Sequence, residues 1–162
     1  MREQWPQVKI AFEALSYVLK PMAPDGIELY FTNSYDTWRR HNTTELVDIL
    51  EKKGLSGETD ISHRLRMQLQ DYIVNANSSL RIASKKSKKI RPVSFYVLTN
   101  GNWKEKSDLT TALKEIADYL IDTGMVKGHL TIQFVSFGQN AEGLHRINEA
   151  ANIEFGLYVQ PL

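Results

Sequence analysis

The chain contains no cysteine. That excludes disulfides, thiolate metal ligands and a thiol nucleophile. It suits a reducing compartment without requiring one. No apolar run approaches the ~20 residues of a membrane-spanning helix. No charged-then-apolar leader opens the chain, because segment 2–20 keeps helical periodicity with polar interruptions. Neither sign of charge dominates: 20 Lys and Arg against 19 Asp and Glu leave +1, so no global field recruits nucleic acid or a membrane. Neither G-x-G-x-x-G nor G-x-x-x-x-G-K-[ST] occurs, which leaves a nucleotide-binding enzyme without support. A cytosolic or nuclear protein is expected.

At 162 residues, 42% hydrophobic and 24% charged, the sequence has the balance of one ordinary globular domain with its own core. Trp5, Val8, Phe12, Leu15 and Leu19 recur at steps of three and four and predict a first helix, with Pro6 in its opening turn. Pro21, Pro24 and the Asp25-Gly26 turn end it. Residues 27–33 (IELYFTN) read as a strand, and 35–40 as a short edge strand. Asn42 with Glu45 three residues on resembles a capping box for a helix over 42–52, stopped by Gly54. Asp60 is placed to cap a helix whose buried face is Ile61, Leu65, Leu69, Tyr72 and Ile73.

The polar stretch 75–89 reads as a loop or frayed helix end. Residues 93–99 (VSFYVLT) are almost all apolar, the pattern of a central strand covered on both faces. Ser107 is placed to cap a helix carrying Leu109, Leu113, Ile116 and Leu120. A strand over 130–137 follows, then a helix marked by Ala141, Leu144, Ile147 and Ala151, then a last strand over 153–159. Strands separated by helices imply right-handed crossovers and a largely parallel sheet, with helices on both faces.

The pieces Asp25-Gly26-Ile27-Glu28-Leu29-Tyr30-Phe31-Thr32-Asn33, Gly57-x-Thr59-Asp60-Ile61 with Leu65, Val97-Leu98-Thr99-Asn100-Gly101 and Ile132-Gln133-Phe134-Val135-x-Phe137-Gly138 occur in an order and spacing that resembles the von Willebrand factor A domain of the intracellular, stand-alone type. The resemblance spans roughly the whole chain, except for the family's first strand before Trp5. It implies an α/β, Rossmann-like three-layer fold with a mostly parallel sheet, lacking the usual central first strand. It also implies a ligand site at the C-terminal strand ends, where the family holds Mg²⁺ through oxygen ligands. Thr59 matches the family's threonine ligand, and Asn100 sits where the family has an aspartate. The Asp-x-Ser-x-Ser loop has no counterpart. Hard cations draw most of their binding from carboxylates, so the implied metal site, Thr59 and Asn100, is degenerate, and no cofactor is expected.

Without its central strand, the sheet of the resemblance would leave two interior edges open. Three outcomes stand. The strands over 27–33 and 93–99 pair directly, another chain inserts a strand, or the chain is a piece of a longer one. Self-association through swapped elements would also repair the gap. The expected function is a non-enzymatic protein–protein interaction module. Its partner-facing rim would comprise Asn33, Ser34, Gly57, Thr59, Asp60, Asn100, Asn102 and Trp103. The alternative is a structural protein that assembles through the same fold.

Lys85, Lys86, Lys88 and Lys89 form the one basic cluster, between Arg81 and Arg91. It reads as a solvated loop, since no aromatic residue interleaves with it. A nucleic-acid contact is the weaker reading. His41, His63, His129 and His145 show no ligand spacing. Ser62 and His63 are helix neighbours pointing about 100° apart, which is no catalytic pair. Trp38, beside Arg39 and Arg40, reads either as an exposed anchor or as a Trp packed under a loop.

Overall fold

A computed structural model describes residues 2–53, 60–82, 91–104, 108–122, 130–151 and 158–161, with only the backbone described for 75–82 and 158–161. The architecture is mixed α/β. Its elements are α1 (Trp5–Leu19), β1 (Ile27–Tyr30), β2 (Thr37–Arg40), α2 (Thr43–Lys53), α3 (Ile61–Ile82), β3 (Val93–Thr99), α4 (Leu109–Asp122), β4 (Leu130–Ser136), α5 (Ala141–Ala151) and β5 (Tyr158–Pro161).

The strands form two separate sheets. β1 and β2 pair antiparallel, with Leu29 opposite Trp38. β3, β4 and β5 form a parallel sheet in that order, with Phe95 opposite Ile132 and Ile132 opposite Val159. The edge strand expected over 35–40 is therefore real, but its partner β1 stays outside the parallel sheet. The apolar strand β3, expected to be central, has a strand partner on one side only among the described residues. Its residues from Phe95 to Leu98 are half-buried. An apolar run records how much surface a strand must bury, but its pairing is decided by distant segments.

Alternation along the strands assigns two apolar clusters. Val93, Phe95 and Val97 pack on the larger cluster, which holds Ile61, Leu65, Leu69 and Ile73 of α3, Leu113 and Ile116 of α4, Ile132 and Phe134 of β4, and Ile147 of α5. Leu98 packs on the smaller one, which holds Phe12 of α1, Leu29 of β1, and Leu46 and Leu50 of α2. Successive strand residues face opposite sides, so α3 and α1 lie against opposite faces of β3. Ile27 and Leu29 of β1, with Phe31 just past its end, serve the smaller cluster, while Tyr30 faces Arg64 of α3.

Helix ends differ from expectation in instructive ways. Asn42 Oδ1 does accept a hydrogen bond from the Thr44 N–H at 3.0 Å. Glu45, however, pairs with Arg40 at 3.1 Å instead of closing the capping box, because the cation of β2 offers a stronger partner than a backbone N–H. The stretch expected to fray after residue 75 stays helical to Ile82. Once a helix is nucleated, each further residue adds one bond, and weak helix formers are carried along. Asp108 and Asn140 cap α4 and α5 by accepting from the Thr111 and Gly143 N–H groups. Ser107, the expected cap, lies outside the described residues. On α5 the buried face is Gly143, Ile147 and Ala150, and Leu144 turns outward.

Candidate functional site at the strand ends

β1 ends at Tyr30, and the chain turns through Asn33, Ser34 and Asp36 before β2. Asn33 is exposed and Ser34 half-buried. Ser34 Oγ donates to Asp36 Oδ2 at 2.7 Å and accepts from the Asp36 N–H at 3.2 Å. Lys53, at the end of α2, reaches both Ser34 Oγ at 3.1 Å and Asp36 Oδ2 at 3.2 Å. The Ser34 hydroxyl first, and the Lys53 ammonium second, hold the Asp36 carboxyl below its ordinary pKa. Lys53 also sits 5.2 Å from the ring centre of Trp38, and Phe31 meets that ring edge-on at 5.5 Å. Trp38 is thus packed in the smaller cluster, not presented as an anchor.

Arg64 ties this turn to the first turn of α3. Its side chain is buried, with 6% of the residue exposed. The guanidinium lies 5.6 Å from the Tyr30 ring centre and 5.9 Å from that of Tyr35, within cation–π range. One Nη donates to the Asp36 carbonyl at 3.1 Å. Nε has no hydrogen-bond partner among the described residues. A cation in the first turn of a helix opposes the macrodipole, so these specific contacts hold Arg64 there. Sequence reading missed Arg64, Tyr30 and Tyr35. The available signal was a cation set immediately beside the apolar position Leu65, at the start of a helix.

The α3 N-terminus itself is closed by Asp60, as expected. Its Oδ1 accepts from Ser62 Oγ at 2.7 Å and from the His63 N–H at 3.1 Å. After β3, Asn100 Oδ1 accepts from the Asn102 N–H at 3.1 Å, and Asn102 is exposed. Gly101 takes φ +73° and sits against Gly143 of α5, anchoring this turn to the larger cluster. Trp103 is not a rim residue. It is 7% exposed and belongs to the larger core, and its carbonyl accepts from Arg146 at 3.1 Å. An indole just past a strand end is drawn inward wherever helices can cover it, because its apolar area dominates. Gly57, Thr59, Lys85, Lys86, Lys88 and Lys89 lie outside the described residues.

The described rim therefore has two parts. The turn after β1 and the start of α3 are joined through Arg64, and the turn after β3 is joined to α5. Its donors and acceptors are neutral amides, a hydroxyl and two carboxylates, Asp36 and Asp60, each already engaged. Asn100 fits a hard cation poorly, since its carboxamide is neutral and its oxygen holds the Asn102 N–H. No cluster of three or more His, Cys, Asp or Glu suited to a metal occurs among the described residues. No described helix is long and apolar enough to cross a membrane.

Comparison with protein-family models, curated proteins and solved structures returns no match to this chain.

Proposed function

We propose that this chain is a non-enzymatic protein–protein interaction module, with a vWA-like, three-layer arrangement whose metal site is degenerate. The partner meets the rim at the strand ends through hydrogen bonds and shape, with no bridging cation. One observation carries the reading: a buried arginine fixed between two tyrosines at that rim, with Tyr35 74% exposed beside it. Arginine and tyrosine are the residues most often found at the energetic centres of interfaces. An arginine already desolvated and stacked costs little further ordering on binding. Asn33 and Asn102 add exposed amides at the same strand ends.

The test compares proteins recovered with the wild-type chain and with the Tyr35→Ala/Asn102→Ala double variant from the same cells. The reading predicts a partner held by the wild type and lost from the variant while both stay folded. Identical recovery would remove the rim from consideration.

Assembly is the second reading. It is favoured by the outer face of α1, where Ile10, Tyr17 and Val18 lie exposed on one stripe and Met22 follows in the 3₁₀ turn. A helix apolar on two faces is normally covered on both.

A further inference from the structure

We infer that the Asn100–Gly101 pair, just past β3, is a self-modification site: Asn100 loses its side-chain amide, and the rim gains a carboxylate that the sequence does not encode. It is the chain's one Asn-Gly step. Loss of the amide requires the backbone nitrogen of the next residue to attack Asn100 Cγ. Glycine carries no side chain to shield that nitrogen. The local hydrogen bonds then arrange both ends of the attack.

Asn100 Oδ1 accepts from the Asn102 N–H at 3.1 Å. This turn folds the carboxamide back along its own backbone, beside the Gly101 nitrogen. Attack drives negative charge onto Oδ1, where the Asn102 N–H already stands as a donor. The attacking nitrogen must also shed its proton, and the Gly101 N–H already donates to Thr99 Oγ1 at 3.1 Å. Thr99 is buried and Gly101 is clamped at φ +73° against Gly143, so donor and acceptor are held in place. Asn100 is half-buried and Asn102 exposed, which gives water access to the product of the attack.

The Gly101 nitrogen bonds to Asn100 Cγ as its proton passes to Thr99 Oγ1, which gives its own proton to water. The Cγ–Nδ2 bond breaks, and Nδ2 takes a proton from water and leaves as ammonia. A succinimide ring remains. Water then opens the ring, at Cγ to leave aspartate or at the backbone carbonyl carbon to leave isoaspartate. Nothing is oxidised or reduced. The carbonyl oxygen of Asn100 packs on Gly143 with no room for even a Cβ between them. That shields the backbone carbon and leaves no space for the longer isoaspartate chain, so the ring opens mainly to aspartate. The formal net charge of +1 falls by one, and the new charge sits at the end of β3.

Other asparagines lack part of this arrangement. Asn42 and Asn140 also hold backbone N–H groups, of Thr44 at 3.0 Å and of Gly143 at 2.7 Å. The residues that follow them, Thr43 and Ala141, carry a Cβ beside the nitrogen and open α2 and α5. Asn33 is exposed, but the Ser34 N–H is held by the carbonyl of Phe31 at 3.4 Å. The reaction involves no partner, so it stands apart from the rim reading.

The test incubates the purified full chain at neutral and mildly alkaline pH and follows it by intact mass, ion exchange and peptide mapping. A synthetic peptide of residues 97–104 serves as the unfolded reference. The folded chain should exchange NH₂ for OH at Asn100 before any other asparagine, at least as fast as the peptide, and with a larger share of aspartate. Thr99→Val should slow the conversion roughly tenfold or more, the loss of a positioned proton acceptor. Thr99→Ser, which keeps the hydroxyl, should convert at the wild-type rate. Circular dichroism checks that each variant is folded, and if Thr99→Val is not, the comparison of wild type with peptide decides alone. Slower conversion in the folded chain than in the peptide, first conversion at another asparagine, an equal share of isoaspartate, or an unchanged rate in folded Thr99→Val would each overturn the inference.

Discussion

Gly101 and Gly143 touch backbone to backbone, and neither position has room for a side chain. A Cβ on Gly143 would fall inside the carbonyl oxygen of Asn100, and a Cβ on Gly101 inside the carbonyl of Gly143. This contact seats the turn after β3 on the first turns of α5, and so fixes where Asn100 and Asn102 stand.

Replacing either residue must therefore move backbone. Gly143→Ala is expected to destabilise the protein by about 1–3 kcal/mol, the usual cost of overpacking. Gly101→Ala should cost at least as much, because its φ of +73° adds left-handed strain. Gly138 also has a positive φ, but its nearest neighbour is the end of the Gln4 side chain at 3.4 Å, which can swing aside. Gly138→Ala should be the mildest of the three. Urea denaturation of the three variants checks the order. Gly138→Ala costing most would contradict the Gly101–Gly143 contact.

The cap of α4 gives a pH-dependent prediction. The Thr111 hydroxyl first, and the Thr111 N–H second, hold the Asp108 carboxyl below its ordinary pKa. A lowered folded-state pKa adds stability that is complete above the unfolded value of ~3.9 and is lost as pH falls through the folded value. Asp108→Ala should thus cost roughly 0.5–2 kcal/mol at neutral pH, as for other caps. The gap to wild type should narrow below pH ~4. Denaturation curves at neutral pH and in the acid limb test this, and a gap that widens on acidification would reverse the assignment.

The residues that were legible in the sequence are those whose signal is local. Val8 and Phe12, and Ile61, Leu65, Leu69 and Ile73, announce helices because burial repeats every 3.6 residues, and all are buried. Asp60 and Asn42 act as the caps their chemistry predicts. What was not legible depends on distant partners. The apolar run of β3 gave no sign that β1 would pair with β2 instead of joining the parallel sheet. Trp103 lies just past the strand, where the resemblance puts the rim, yet it packs in the larger core with residues of α4 and α5. Arg64 broke an otherwise apolar helix face, and only the fold reveals Tyr30 and Tyr35 beside it.

Arg64 allows charge and geometry to be separated. Arg64→Lys keeps the cation but loses the planar fork that reaches Asp36 and stacks on two rings. It is expected to lower stability by about 1–3 kcal/mol, the range for losing a buried hydrogen bond to a charged group. Tyr35→Ala should cost under ~1 kcal/mol, in line with an exposed cation–π contact. Thermal or urea unfolding of both variants decides, and a neutral Arg64→Lys would mean that charge alone matters there.

The proposed degeneracy of the metal site makes a prediction about metal. Mg²⁺ titrated calorimetrically into the wild-type chain should give no saturable heat. If Asn100→Asp gains binding, the site kept its shape and lost only charge. Micromolar binding by the wild type that Thr59→Ala abolishes would show that the cation was retained.

The most direct test of an interaction module against an assembly protein is light scattering on the purified 162-residue chain, with and without Mg²⁺. The account predicts a monomer of 18.6 kDa, unchanged by the cation, with its rim open to a partner. A discrete dimer or larger particle would contradict it and put self-assembly, through the exposed α1 face or the open strand edges, in its place.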